Sequence, residues 1–183
     1  MRRFLIVPTL AALALALAGC KQDAAPSGGE GKSFAEAARE ADALPKPQPG
    51  LYRSEVTMMS FDAPGMPPQA ISQMKEMFSR TQSGTEYCLT GEDAAKGYEE
   101  RVKKLSGQPN CAFDHYSANR GKLDAKLTCK GEQGMASVMT MQGTMTPTGS
   151  DVTMSMDQSG AAMPGGSMKM TMNVKTARVG DCK

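Results

Sequence analysis

The sequence predicts an α+β domain: a curved antiparallel β-sheet, a meander whose curvature allows closure like a barrel, with two helices and two disulfides. Three observations carry this. From Cys111 onward, apolar residues recur at every second position, the period of a strand with one wet face. Upstream, Ile71, Met74 and Phe78, then Ala94, Tyr98, Val102 and Leu105, recur at spacings of three and four, the period of a helix. With Cys20 set aside, four cysteines remain, Cys88, Cys111, Cys129 and Cys182. An even number in an oxidising compartment pairs into disulfides.

The compartment follows from the N-terminus. Arg2 and Arg3 precede an uncharged apolar run, Phe4 to Ala18, that ends in Leu17-Ala18-Gly19-Cys20. The run is 15 residues, and a spanning helix needs about 20. A positive start, an apolar middle and small residues before the cut read as a signal peptide over residues 1–19. The cut site resembles that of bacterial lipoproteins, which implies acylation of Cys20. Each buried CH₂ of an acyl chain contributes about 0.8 kcal/mol, so two or three chains hold a protein on a membrane. The expected location is the cell envelope, lipid-anchored and facing the periplasm. Outer membrane is favoured over inner, because Lys21 rather than Asp follows the cysteine.

Residues 20–48 are expected to form a stalk. Lys21 to Lys32 is a Gly/Ser/Ala/Pro tether. Ser33 and Glu36 make a capping box for a short helix within 33–44, and Pro45 ends it. Residues 49–183 are expected to be a single domain. Without residues 1–19 the chain has 164 residues, enough for one core. It then carries 19 basic residues (21 less Arg2 and Arg3) against 19 acidic ones. Zero net charge without a basic block argues against a nucleic-acid partner.

Within the domain, Leu51 to Met59 alternates as a strand, and Pro67-Pro68 opens a helix near 68–80. Thr85 to Leu89 is a short strand. Thr90 to Leu105 reads as one helix, capped by Thr90, acidic at Glu92 and Asp93, basic at Lys103 and Lys104, with Gly107 beyond. Asn119-Arg120-Gly121 is turn chemistry between two strands. Pairing their apolar faces requires partners whose numbers sum to an even total, and 240 centres the turn on Arg120. That register sets Cys111 opposite Cys129 and Phe113 opposite Leu127, with His115 and Ser117 on the face of Phe113. Opposed residues at a non-hydrogen-bonded position lie about 4.5 Å apart, within disulfide range. By elimination Cys88 pairs with Cys182. A zinc site is disfavoured, since there is one His and no Cys-x-x-Cys.

Three further strands carry methionine on alternate positions: Met135, Met139, Met141 and Met145; then Val152, Met154 and Met156; then Met168, Met170, Met172 and Val174. Core filling is the favoured reading of this stripe, since the flexible thioether adapts to irregular gaps. The alternative is Cu(I) held by Met139, Met141, Met154, Met156, Met168, Met170 and Met172, because soft thioethers select that ion. A further alternative is a Met-lined concavity for an apolar ligand. No catalytic residue is identified. His115 has no evident nucleophile beside it, and no Gly-x-Ser-x-Gly, phosphate loop or His-Glu-x-x-His is present.

Pro49-Gly50-Leu51-Tyr52, then Met66-Pro67-Pro68 leading into Met74-Lys75-Glu76-Met77, then Cys88-Leu89-Thr90 with Glu92, then Arg178-Val179-Gly180-Asp181-Cys182, occur in an order that resembles domain-of-unknown-function family 3617. The resemblance spans about residues 49–182. The family's usual opening aromatic is Trp, where this chain has Tyr52. The resemblance implies a secreted proteobacterial protein or lipoprotein and brings no catalytic residues with it. The expectation is a non-enzyme without a cofactor (copper being the alternative), a binding or structural module for an envelope protein or an apolar ligand.

Overall fold

The computed structural model describes residues 31–81, 84–105, 110–161 and 163–183. The signal peptide, Cys20, the tether up to residue 30, and Gly107 lie outside them.

The first described helix, α1 (Phe34–Ala41), is capped as its sequence demands. Ser33 Oγ accepts the Glu36 N–H at 3.3 Å and the Glu36 carboxylate accepts the Ser33 N–H at 2.9 Å. Its Ala37, Ala38 and Ala41 are almost wholly buried. Small side chains let the helix lie close against its neighbours. Upstream, Lys32 bridges the backbone of Phe113, and its ammonium meets Glu40 and the Tyr116 carbonyl. Residues 31–44, expected within the stalk, therefore pack on the folded body.

Next come β1 (Gly50–Asp62), α2 (Pro68–Thr81), β2 (Thr85–Leu89), α3 (Gly91–Lys96) and α4 (Glu99–Leu105). The expected single helix from Thr90 to Leu105 is thus two. Gly97, at φ 62°, closes α3 with its N–H on the Ala94 carbonyl at 3.2 Å. Left-handed glycine ends helices in this way. The described residues form four α-helices: α1, the short helix expected within 33–44, and three in the domain where two were expected.

The remaining strands are β3 (Cys111–Asn119), β4 (Lys122–Lys130), β5 (Ala136–Thr146), β6 (Gly149–Ser159) and β7 (Ser167–Gly180). All pairings are antiparallel, in the order β2-β1-β7-β6-β5-β4-β3. The sheet is open and does not close into a barrel. The outer edge of β3 is met by Lys32 instead of by β2, one way of covering an exposed edge. Cys88 is bonded to Cys182 and Cys111 to Cys129, with Cα–Cα distances of 5.5 and 4.0 Å.

The β3–β4 hairpin departs from a uniform register. Cys111 pairs with Cys129 and Phe113 with Leu127, but His115 pairs with Lys126 and Tyr116 with Ala125. The cause lies in two competing constraints. Arg120 and Gly121 both have positive φ, 49° and 76°, a two-residue turn that favours partners summing to 241. The disulfide end requires 240. Asp114 absorbs the extra residue as a bulge. Its carboxylate is fixed by the Thr128 hydroxyl at 2.8 Å and the Lys126 ammonium at 3.0 Å. Beyond the bulge the faces swap: Tyr116 and Ala118 turn inward and His115 turns out, contrary to the expectation that His115 and Ser117 share the Phe113 face. A second bulge, at Met59, extends β1 past its expected end and returns Phe61 to the apolar face.

Candidate functional site

Register aligns the apolar side chains into rows that cross the sheet from β1 to β3. One row runs Phe61, Met170, Met156, Met139, Leu127, Phe113. The next runs Met58, Met172, Met154, Met141, Ala125, Tyr116, and a third Val56, Val174, Val152, Gly143, Leu123, Ala118. A shorter row holds Met168, Gln158, Ser137, Cys129 and Cys111. The seven methionines singled out in the sequence thus share one face, although Met168 lies one row away from the other six.

Composition along each row follows its cover. At the β3–β4 end, α1 packs on β3 and α4 packs on α1, and Phe113, Tyr116, Ala125 and Leu127 are buried at 0, 3, 1 and 5 % exposure. Phe113 meets Phe34 and Tyr116 edge-on, each with ring centroids 5.1 Å apart. At the β1–β2 end, Tyr52 packs with Leu89 and with Ala94 of α3. Its hydroxyl donates to the Gln48 carbonyl at 2.7 Å. Between these two clusters lie the methionines of β5, β6 and β7, all only half-buried. Among the described residues, the helices pack mainly on β3 and β1 instead.

A cleft of about 760 Å³ opens over this stretch. Its floor is Met139, Met141, Met154 and Met156, with Leu127 and the Cys111–Cys129 disulfide at one end. Leu105 lines it from the end of α4, and Met135 and Met163 from the loops. Its polar groups are few: Lys130, Ser137, Gln158 and Ser159. Gln158 Nε2 donates to the Met156 sulfur at 3.4 Å. Met135 falls just outside β5, 42 % exposed.

The opposite face is wet. Ser155 and Thr171 hydroxyls meet at 3.1 Å, and Asp151 accepts from Asn173 at 2.7 Å with Lys175 at 3.4 Å. Those partners, the Asn173 bond first, hold the Asp151 carboxyl below the usual range. His115 stands half-exposed on this face, 3.9 Å from Asp124. Among the described residues, no three His, Cys, Asp or Glu side chains gather as a metal site, and no helix is long and apolar enough to cross a membrane.

Sequence parity placed the methionines on one face of each strand but not in register with one another. Leu105, Lys130, Ser137 and Gln158 were missed as cleft residues. A usable signal existed. Pro147-Thr148 is a two-residue connection, which fixes Met141 opposite Met154.

The sheet order, the covering helices and the two disulfides define an α+β, mostly β, open-sheet protein with a methionine-floored cleft. The chain belongs to the family described as protein of unknown function, DUF3617, whose family model matches residues 47–182. No curated protein and no solved structure matches it. Helix α1 lies upstream of the matched span.

Proposed function

We propose that this is a periplasm-facing, lipid-anchored envelope protein whose cleft binds an apolar ligand carrying one polar end, such as a single acyl chain with an acidic head. The observation that supports it is the cleft over the half-buried methionine floor. Its volume falls in the roughly 300–1,000 Å³ range of small-molecule sites, and such sites pair an apolar lining with a few placed polar groups. Lys130 and Gln158 supply those groups at one side of the cleft. Methionine suits a surface that adapts to varied apolar partners. The binding role needs no catalytic residue.

The test uses the chain from Lys21 onward, disulfides intact, titrated with a fluorescent fatty acid. Saturable one-to-one binding with a Kd near micromolar, about −8 kcal/mol, is expected. It should be lost in Met154→Asp/Met156→Asp and weakened in Lys130→Glu. Binding unaffected by all three changes would overturn the assignment. The membrane address is tested separately: Cys20→Ala should move the protein from the membrane fraction to the soluble one.

A further inference from the structure

We infer that the methionine rows also form a binding site for a soft monovalent cation, Cu(I) or Ag(I), an assignment that stands independently of the apolar ligand. Met139 and Met141 on β5 face Met156 and Met154 on β6, which face Met170 and Met172 on β7. Neighbouring strands lie about 4.8 Å apart, and residues two apart on one strand about 6.6 Å apart. Six thioethers therefore stand on a lattice of three strands by two rows, on one side of the sheet. The four at the corners of each cell surround a common point. An unbranched side chain with three rotatable bonds can turn its sulfur towards that point, Met156 by giving up its contact with Gln158.

Two further observations favour sulfur chemistry over bulk. First, the same rows use Leu, Ala, Phe and Tyr where helices cover them and Met where they are open. Leu123 and Leu127 show that branched aliphatics fit this sheet, so apolar volume alone did not demand methionine. Second, all six methionines are half-buried, which leaves the lattice reachable from solvent while its surroundings stay apolar. Thioether sulfur is a soft donor that selects Cu(I) over hard cations. The four described cysteines are consumed in disulfides and His115 faces the other way, so the donors are thioethers throughout. A site of that kind binds without releasing a proton. Met154 and Met156 belong to both cells of the lattice and are its shared ligands.

The test is an anaerobic titration of the chain from Lys21 onward with Cu(I) against a competing chromophoric chelator, at neutral and at mildly acidic pH. Met154→Leu/Met156→Leu is measured alongside, with Ag(I) as a redox-inert check. One equivalent bound more tightly than about micromolar is expected. The affinity should hold across the pH range and fall at least tenfold in the leucine pair. Leucine keeps the floor apolar, so fatty-acid binding persists in that variant while metal binding is lost. Should the pair fail to fold, Met154→Leu and Met156→Leu are measured singly, each expected to weaken binding. Absence of binding, full retention in the leucine variants, or loss of binding as histidine protonates would overturn the assignment. Failure of fatty-acid binding alone would leave it standing.

Discussion

Met141 and Met154 face each other across β5 and β6, in a row that continues through Ala125 to Tyr116 in the core beneath α1. A single line of side chains thus passes from closed core to open cleft. The change from Ala and Tyr to Met coincides with the end of the helical cover. Where helices pack, the sheet needs fixed shapes that interlock. Where they do not, it carries side chains that adapt.

That difference has a measurable energetic signature. Leu123, 7 % exposed and outside the cleft lining, has no water to hydrate a substituted amide. Leu123→Gln should cost about 3 kcal/mol or more through lost burial and an unsatisfied polar group. Met154→Gln, on the half-open floor, should cost about 1 kcal/mol or less. Denaturant midpoints of the two variants make the comparison. Equal costs would show the floor to be closed core.

The Asp114 bulge reconciles the Arg120-Gly121 turn with the Cys111–Cys129 pair. Asp114→Ala should cost about 1 kcal/mol, the worth of its hydrogen bonds to Thr128 and Lys126. Deleting the residue should keep the faces as they are, because Phe113 opposite Leu127 and His115 opposite Lys126 then become consecutive pairs of a regular ladder. The Lys126 ammonium, and then the Thr128 hydroxyl, hold the Asp114 carboxyl below its usual range. A lowered folded value contributes stability that is present above the unfolded value of about 4 and is lost as pH falls through the folded value. Acid unfolding followed by circular dichroism should therefore be less steep in Asp114→Asn.

Tyr116 gives the opposite limit. Burial, with the Glu40 carboxylate adding to it, pushes its hydroxyl up to about 12. Burial also raises Tyr52 and Tyr98. A raised folded value means that stability is intact below the unfolded value of about 10 and is lost as pH rises through the folded value. Ultraviolet titration should show Tyr116 ionising only with unfolding, and Tyr116→Phe should remove its share of the alkaline loss.

The two disulfides should differ in worth. Cys88–Cys182 spans 94 residues and Cys111–Cys129 spans 18. On the loop-entropy account these correspond to roughly 4.6 and 3 kcal/mol. Cys88→Ser/Cys182→Ser should therefore lower the denaturant midpoint more than Cys111→Ser/Cys129→Ser. The second pair lines the cleft, so its loss should weaken ligand binding out of proportion to its effect on stability.

Local chemistry made much of this legible. The capping box at Ser33 and Glu36, the cap at Thr90, and the alternation of β5, β6 and β7 each rest on neighbouring residues alone, and each appears where its sequence pattern lies. The expected register of Cys111 with Cys129 also holds, because it depends on one hairpin. What escaped depends on competition between distant constraints. The bulge at Asp114 exists only because turn and disulfide disagree by one residue. The break at Gly97 was hidden in an apolar stripe that continues across it. The docking of α1 depends on Ala37, Ala38 and Ala41, whose small side chains give a weak periodic signal despite their near-complete burial. The cleft stood only as an alternative to core filling for a related reason: parity assigns a residue to a face, and only packing decides whether that face is covered.

That the methionine face is a ligand surface is tested by nuclear magnetic resonance of ε-methyl-labelled methionine during a fatty-acid titration. Shifts should concentrate at Met139, Met141, Met154 and Met156, leaving Met59 and Met77, which lie outside the cleft, in place. Shifts spread evenly over all the methionines, or absent from the four floor residues at saturation, would contradict it.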